Sequence, residues 1–86
     1  MNTFKDLEFR PHLHDVNGVQ AVIEFNNGYG ASIVTHSQSY GGKSGLYELA
    51  VTKDGLLTYD TPITNNVLGW LDEQDVTEVL IKIQQL

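Results

Sequence analysis

An α+β fold is what this sequence predicts: an antiparallel meander of about four strands, covered on one face by a C-terminal helix. Three observations carry that expectation. Between Asn26 and Thr64, short apolar runs are separated by turn sequences, Asn-Asn-Gly-Tyr-Gly (26–30), Ser-Tyr-Gly-Gly-Lys-Ser-Gly (39–45), Lys-Asp-Gly (53–55) and Tyr-Asp-Thr-Pro (59–62). Such punctuation marks chain reversals between antiparallel strands. After Asp72 the apolar period changes, and Val76, Val79, Leu80 and Ile83 form an i, i+3, i+4, i+7 stripe. A helix this short is unstable alone in water, so its stripe must dock, and the inner face of the sheet is the available surface.

The elements follow in order. Asp6 to His14 reads as an irregular extended segment or edge strand, because Pro11 lacks an amide donor. Asn17-Gly18 is a two-residue hairpin signal leading into 19–25. There Val19, Ala21, Ile23 and Phe25 share one face, and Gln20, Val22 and Glu24 the other. After the Asn27-Gly28 turn comes a strand over 31–36, in which Ile33 and Val34 point to opposite faces. The next strand, 46–51, turns Tyr47, Leu49 and Val51 to the core and Glu48 outward. The Lys53-Asp54-Gly55 turn closes a hairpin to 56–59. Val22 and Val34, on the second face, are either ordinary exposed hydrophobes or part of an association surface.

Asp60 suits an Asx-type turn, and Thr64 suits the cap of a short helical turn from Asn65 to Trp70. Trp70 is expected to be a partly buried core anchor, or else an interface anchor. The final helix starts with Asp72 as N-cap and Asp75 three residues on, a capping box with Leu71 and Val76 as its hydrophobic staple. Asp72, Glu73, Asp75 and Glu78 crowd its first turns and Lys82 its last, as the helix dipole favours.

Eighty-six residues make one small domain, 1–86, with a stability of about 5 kcal/mol. No linker, repeat or low-complexity segment interrupts it. The absence of cysteine excludes disulfides, thiolate metal sites and cysteine nucleophiles, and it points to the cytoplasm. The first residues carry charges and no apolar signal-peptide region, and no apolar run is long enough to span a bilayer. The formal charge is −6, and Lys5, Arg10, Lys43, Lys53 and Lys82 are dispersed, so no basic stripe exists for direct nucleic-acid binding.

Candidate sites are sparse. Gly42-Lys43-Ser44 has the tail of a phosphate-binding loop, but position 37 is Ser and a strand follows instead of a helix. The same loop, Ser37 to Gly45, is longer than a hairpin needs and carries Tyr40 near its tip with Lys43 beside it. Tyrosine there reads as an interface residue, or as a side chain folded back on the sheet. Tyr29, Glu24 and Glu48 are the supporting contact candidates. His12-x-His14 with Asp15, and His36 elsewhere, have metal-ligand residue types. Glu24 and Glu48 have no pocket-forming sequence around them, and no serine sits in a nucleophile elbow. No catalytic, cofactor or metal residue is therefore assigned.

The set Asn27-Gly28-Tyr29-Gly30-Ala31-Ser32-Ile33-Val34, Ser39-Tyr40-Gly41, Gly45 to Val51 and Tyr59 to Thr64 resembles a family of small proteins from tailed bacteriophage genomes. The likeness runs on through Val67 to Leu86. It implies a viral accessory protein expressed in the host cytoplasm, with no activity attached. The expected function is binding and modulation of a host protein, as in inhibition of a defence or transcription component. A small homo-oligomeric assembly protein is the alternative, and a metal or small-ligand binder the second.

Overall fold

The computed structural model describes residues 1–13, 15–64 and 66–86. In chain order they form a 3-10 turn at Phe4–Asp6 and strands β1 (Arg10–His12), β2 (Asp15–Glu24) and β3 (Tyr29–Thr35). A second 3-10 turn, Gly42–Ser44, precedes β4 (Tyr47–Lys53), β5 (Leu56–Leu57), β6 (Leu68–Leu71) and helix α1 (Glu73–Gln84). The strands make one antiparallel sheet ordered β1-β2-β3-β4-β5, and β6 also pairs with β4. The predicted meander is thus present, with β1 at its edge and β5 in the expected hairpin, and it gains one short strand, β6. β5 pairs with β4 at Thr52 and Lys53, β6 at Tyr47 and Leu49.

Register decides which side chains share a face. Ala21, Ile33 and Leu49 form one cross-strand row, and Ile23, Ala31 and Val51 the next. On that face α1 lays Val76, Leu80 and Ile83, all fully buried. Each such aliphatic side chain contributes roughly 1.5–3 kcal/mol of burial. The intervening residues, Gln20, Val22, Glu24, Ser32, Val34, Glu48, Ala50 and Thr52, face away from the helix. Val22 is 63% exposed there, whereas Ala50 and Thr52 on β4 are buried, so this second face is open toward β2.

Side chains from distant segments fasten the helix. The Asp75 amide donates to Asp72 Oδ1 (2.8 Å) and the Asp72 amide to Asp75 Oδ2 (3.1 Å), which is the predicted capping box. At the other end, Asn27 Nδ2 donates to the Ile83 carbonyl (2.9 Å). The N-terminal segment runs alongside. The Phe4 amide donates to Thr77 Oγ1, and Asn2 exchanges two hydrogen bonds with the Gln84 amide group. Phe4, Phe9 and Tyr47 form a three-ring cluster with centroids 5.2–5.6 Å apart. Burial, and then the charge of Glu73, push the Tyr47 phenol above its ordinary pKa.

Four expectations are corrected. Asn17-Gly18 is not a turn but lies within β2, since His12 already pairs with Asp15. Gly18 is there for room: a Cβ on it would sit 2.6 Å from His36 Cβ and 3.2 Å from His12 Cβ. The helical turn expected up to Trp70 is strand β6, because Leu68 and Leu71 reach the core side by pairing with β4. Asn65, its expected start, lies outside the described residues. Thr64 caps nothing helical; its hydroxyl donates to the Asn66 carbonyl (2.7 Å) and accepts from the Asn66 amide (3.0 Å). The strand expected to reach Tyr59 stops at Leu57.

Candidate functional site

The loop between β3 and β4 is internally built. The His36 amide donates to the buried Ser39 hydroxyl (2.9 Å), which donates back to the His36 carbonyl (2.9 Å). Gly41 (φ +88°) and Gly45 (φ +76°) take the left-handed backbone that glycine adopts without a steric penalty. Between them Gly42–Ser44 makes a single 3-10 turn. Lys43 is exposed on that turn and makes no ion pair among the described residues.

This loop leans on β6. Tyr47 pairs with Leu71 and Leu49 with Leu68, so Glu48 faces two residues, Gly69 and Trp70, across a bulge. Tyr40 packs over Gly69, where any Cβ would collide with the Tyr40 side chain. The Trp70 amide donates to the Tyr40 carbonyl (3.1 Å). A Cβ on Gly41 would approach the Trp70 Cα at 3.0 Å, so the two backbones are in close contact. The Tyr40 amide donates to Glu48 Oε1 (3.2 Å). Tyr40, Trp70 and Glu48 therefore occupy one corner of the sheet. Tyr40 remains 60% exposed and Trp70 61%.

Trp70 thus corrects the core-anchor expectation. Its φ is +59°, a conformation that is costly for a bulky L-residue and that clusters at functional sites. Sequence reasoning missed its place beside Tyr40. The one available signal was Gly69, a residue that marks a bulge or a close backbone approach when it stands in a strand.

The remaining contact candidates lie elsewhere. Glu24 shares the open face but is registered through Gly30 to Thr52, about 13 Å along the strands from Glu48. Tyr29 alternates with Ala31 and Ile33 on the helix side, packs on the core and carries the Lys53 ammonium 5.1 Å above its ring. The structure brings Tyr40 and Glu48 together and keeps Tyr29 and Glu24 apart from them.

His12 and His36 do meet, with ring centroids 4.7 Å apart. His36 Nδ1 accepts from the Gln38 amide (3.2 Å), which places its proton on Nε2 when the ring is neutral. His14 and the Asp15 side chain lie outside the described residues, and among those residues no three metal-ligating side chains cluster. On the open face, Thr52 Oγ1 is buried with no hydrogen-bond partner among the described residues. A depression of about 340 Å³ lies at the β1 margin of that face, lined by Glu8, Arg10, Pro11, Leu13, Gln20 and Val22. Among the described residues no helix is long and apolar enough to cross a membrane.

No family model matches the chain, and neither a curated protein nor a solved structure matches it.

Proposed function

We propose that this protein is a small non-enzymatic binding protein that docks on another protein through the Tyr40–Trp70 corner, with Glu48 and Lys43 beside it. The carrying observation is Trp70, a largely exposed tryptophan held in a strained backbone conformation next to an exposed tyrosine. Tyrosine and tryptophan are the residues most enriched among binding hot spots. They offer large rigid contact area at low entropic cost. The resemblance to small tailed-phage proteins makes the partner a protein of the bacterial host, met in its cytoplasm, and blocking of its surface the mechanism.

The test is an affinity pull-down of tagged protein from bacterial lysate, read by mass spectrometry, with Tyr40→Ala as control. Alanine keeps the Cβ that rests on Gly69, so the loop support survives. A stoichiometric host protein whose affinity drops by about 1–2 kcal/mol in the variant is the expected result. A captured partner that binds the folded variant equally well removes Tyr40 from the interface.

A second reading is self-association through the open face, favoured by the exposed side chains of Val22 and Leu57. It is decided by solution mass.

A further inference from the structure

The corner combines three features that together select a cation. Two aromatic rings are exposed, and neither stacks on another aromatic ring among the described residues. The Glu48 carboxylate reaches the Tyr40 backbone, and Glu48 lies across the bulge from Trp70. Its Oε1 is held by the Tyr40 amide, while Oε2 has no partner among the described residues. The net charge of the chain has the same sign as this carboxylate, and Lys43 is the one lysine on the loop. The chain carries 11 acidic against 5 basic side chains. Glu24 lies on the same open face, where Arg10 is registered beside Gln20 and paired with Glu8 at 3.4 Å. Lys43, on the same loop, makes no ion pair with Glu48.

Aromatic faces attract cations through their quadrupole, and more strongly when the site is desolvated. Guanidinium is the better match than ammonium. It is planar, stacks on rings, is more weakly hydrated, and directs N–H groups at a carboxylate from the same plane. Resting on the reading of this corner as a protein-docking site, we infer that its occupant is an arginine side chain on a basic segment of the partner. The guanidinium stacks against Trp70 or Tyr40 and donates to Glu48 Oε2. Glu48 is fixed in advance by the Tyr40 amide, so the acceptor needs no reordering on binding.

The experiment titrates the ¹⁵N-labelled full chain with Ac-Gly-Arg-Gly-Arg-Gly-amide and with its lysine, leucine and glutamate counterparts. The chain has a single tryptophan, so one indole N–H resonance reports the corner without ambiguity. Expected is a saturable shift of that resonance and of the Tyr40 and Gly41 amides with the arginine peptide, and none with the glutamate peptide. Lysine should bind at least about threefold more weakly, since an ammonium cannot stack. Glu48→Gln keeps an oxygen for the Tyr40 amide and removes only the charge. It should weaken arginine binding at least about fivefold, and Glu24→Gln less than about twofold. Equal losses in the two variants would mean diffuse charge attraction and overturn the assignment. A leucine peptide that outcompetes arginine at the same resonances would also overturn it, while leaving protein docking at this corner intact. Silence with every peptide would overturn it too, and the Tyr40→Ala pull-down then judges the docking reading separately.

Discussion

At Trp70, exposure and backbone cost point the same way. A ring 61% in water contributes little to the core, and a left-handed L-residue costs about 1–2 kcal/mol. Glycine at this position removes the strain, against about 0.4–1 kcal/mol of added unfolded-state entropy. Trp70→Gly is therefore expected to leave stability unchanged or raise it by up to about 1 kcal/mol, while partner binding is lost. Urea unfolding followed by far-ultraviolet circular dichroism checks this, and a loss above about 1 kcal/mol would show that the indole is a packing residue after all. Thr52 makes the complementary case. Its hydroxyl is buried against Gly30 with no partner among the described residues, so it loses water and gains nothing in exchange. Thr52→Val keeps the shape and removes the orphaned group, and should stabilise the fold by about 1–2 kcal/mol in the same assay. A destabilised Thr52→Val would mean that the hydroxyl has a donor or acceptor after all.

At the scale of elements, α1 is held at both ends by side chains from outside its own sequence or from its cap. Asn27 satisfies the Ile83 carbonyl with its Nδ2 and receives the Tyr29 amide on Oδ1 (3.0 Å). One side chain thereby ties the β2–β3 turn to the helix C-terminus. Asn27→Ala breaks both bonds and should cost about 1–3 kcal/mol. The last turn of α1 should then exchange its amide hydrogens faster than its first turn, a contrast that hydrogen exchange resolves. A uniform change along α1 would deny the local tie. The N-terminal half of this helix was readable beforehand because its signals are local: Asp72 and Asp75 stand three apart and form the box themselves. Asn17-Gly18 misled because a turn and a tight contact both use glycine, and only the neighbours of Gly18, His12 and His36, separate the two. β6 was illegible for the same reason. Its four residues carry no strand pattern alone, and become a strand because β4 leaves an edge at Tyr47 and Leu49. The Tyr40–Glu48 half of the corner was nominated from residue types, whereas Trp70 joins it only through that pairing.

For the whole molecule, the question is what the open face does in solution. Strands β1 to β4, of 3, 10, 7 and 7 residues, at about 4.8 Å spacing and about 3.3 Å per residue, present on the order of 430 Å² of sheet. A stable interface buries about 800 Å² on each partner. The face alone is thus too small for a tight homodimer, and each copy brings a formal charge of −6 to the encounter. Glu24 and Glu48 also face outward there, against Arg10 alone among the bases registered to it. The protein is therefore expected to be monomeric at micromolar concentration and about 0.1 M salt, where charges act over about 10 Å. At about 1 M salt that range falls to about 3 Å, and weak pairing through Val22 and Leu57 should emerge. Val22→Lys puts a charge on the exposed β2 part of the face and should abolish the salt-induced pairing without unfolding the chain, since Val22 is already 63% exposed. Light scattering across both salt concentrations decides it. A dimer already present at low salt and lost with Val22→Lys would make self-association the primary use of this face. A dimer indifferent to Val22→Lys would place the contact elsewhere, with the β6 edge and Trp70 the next surface to change.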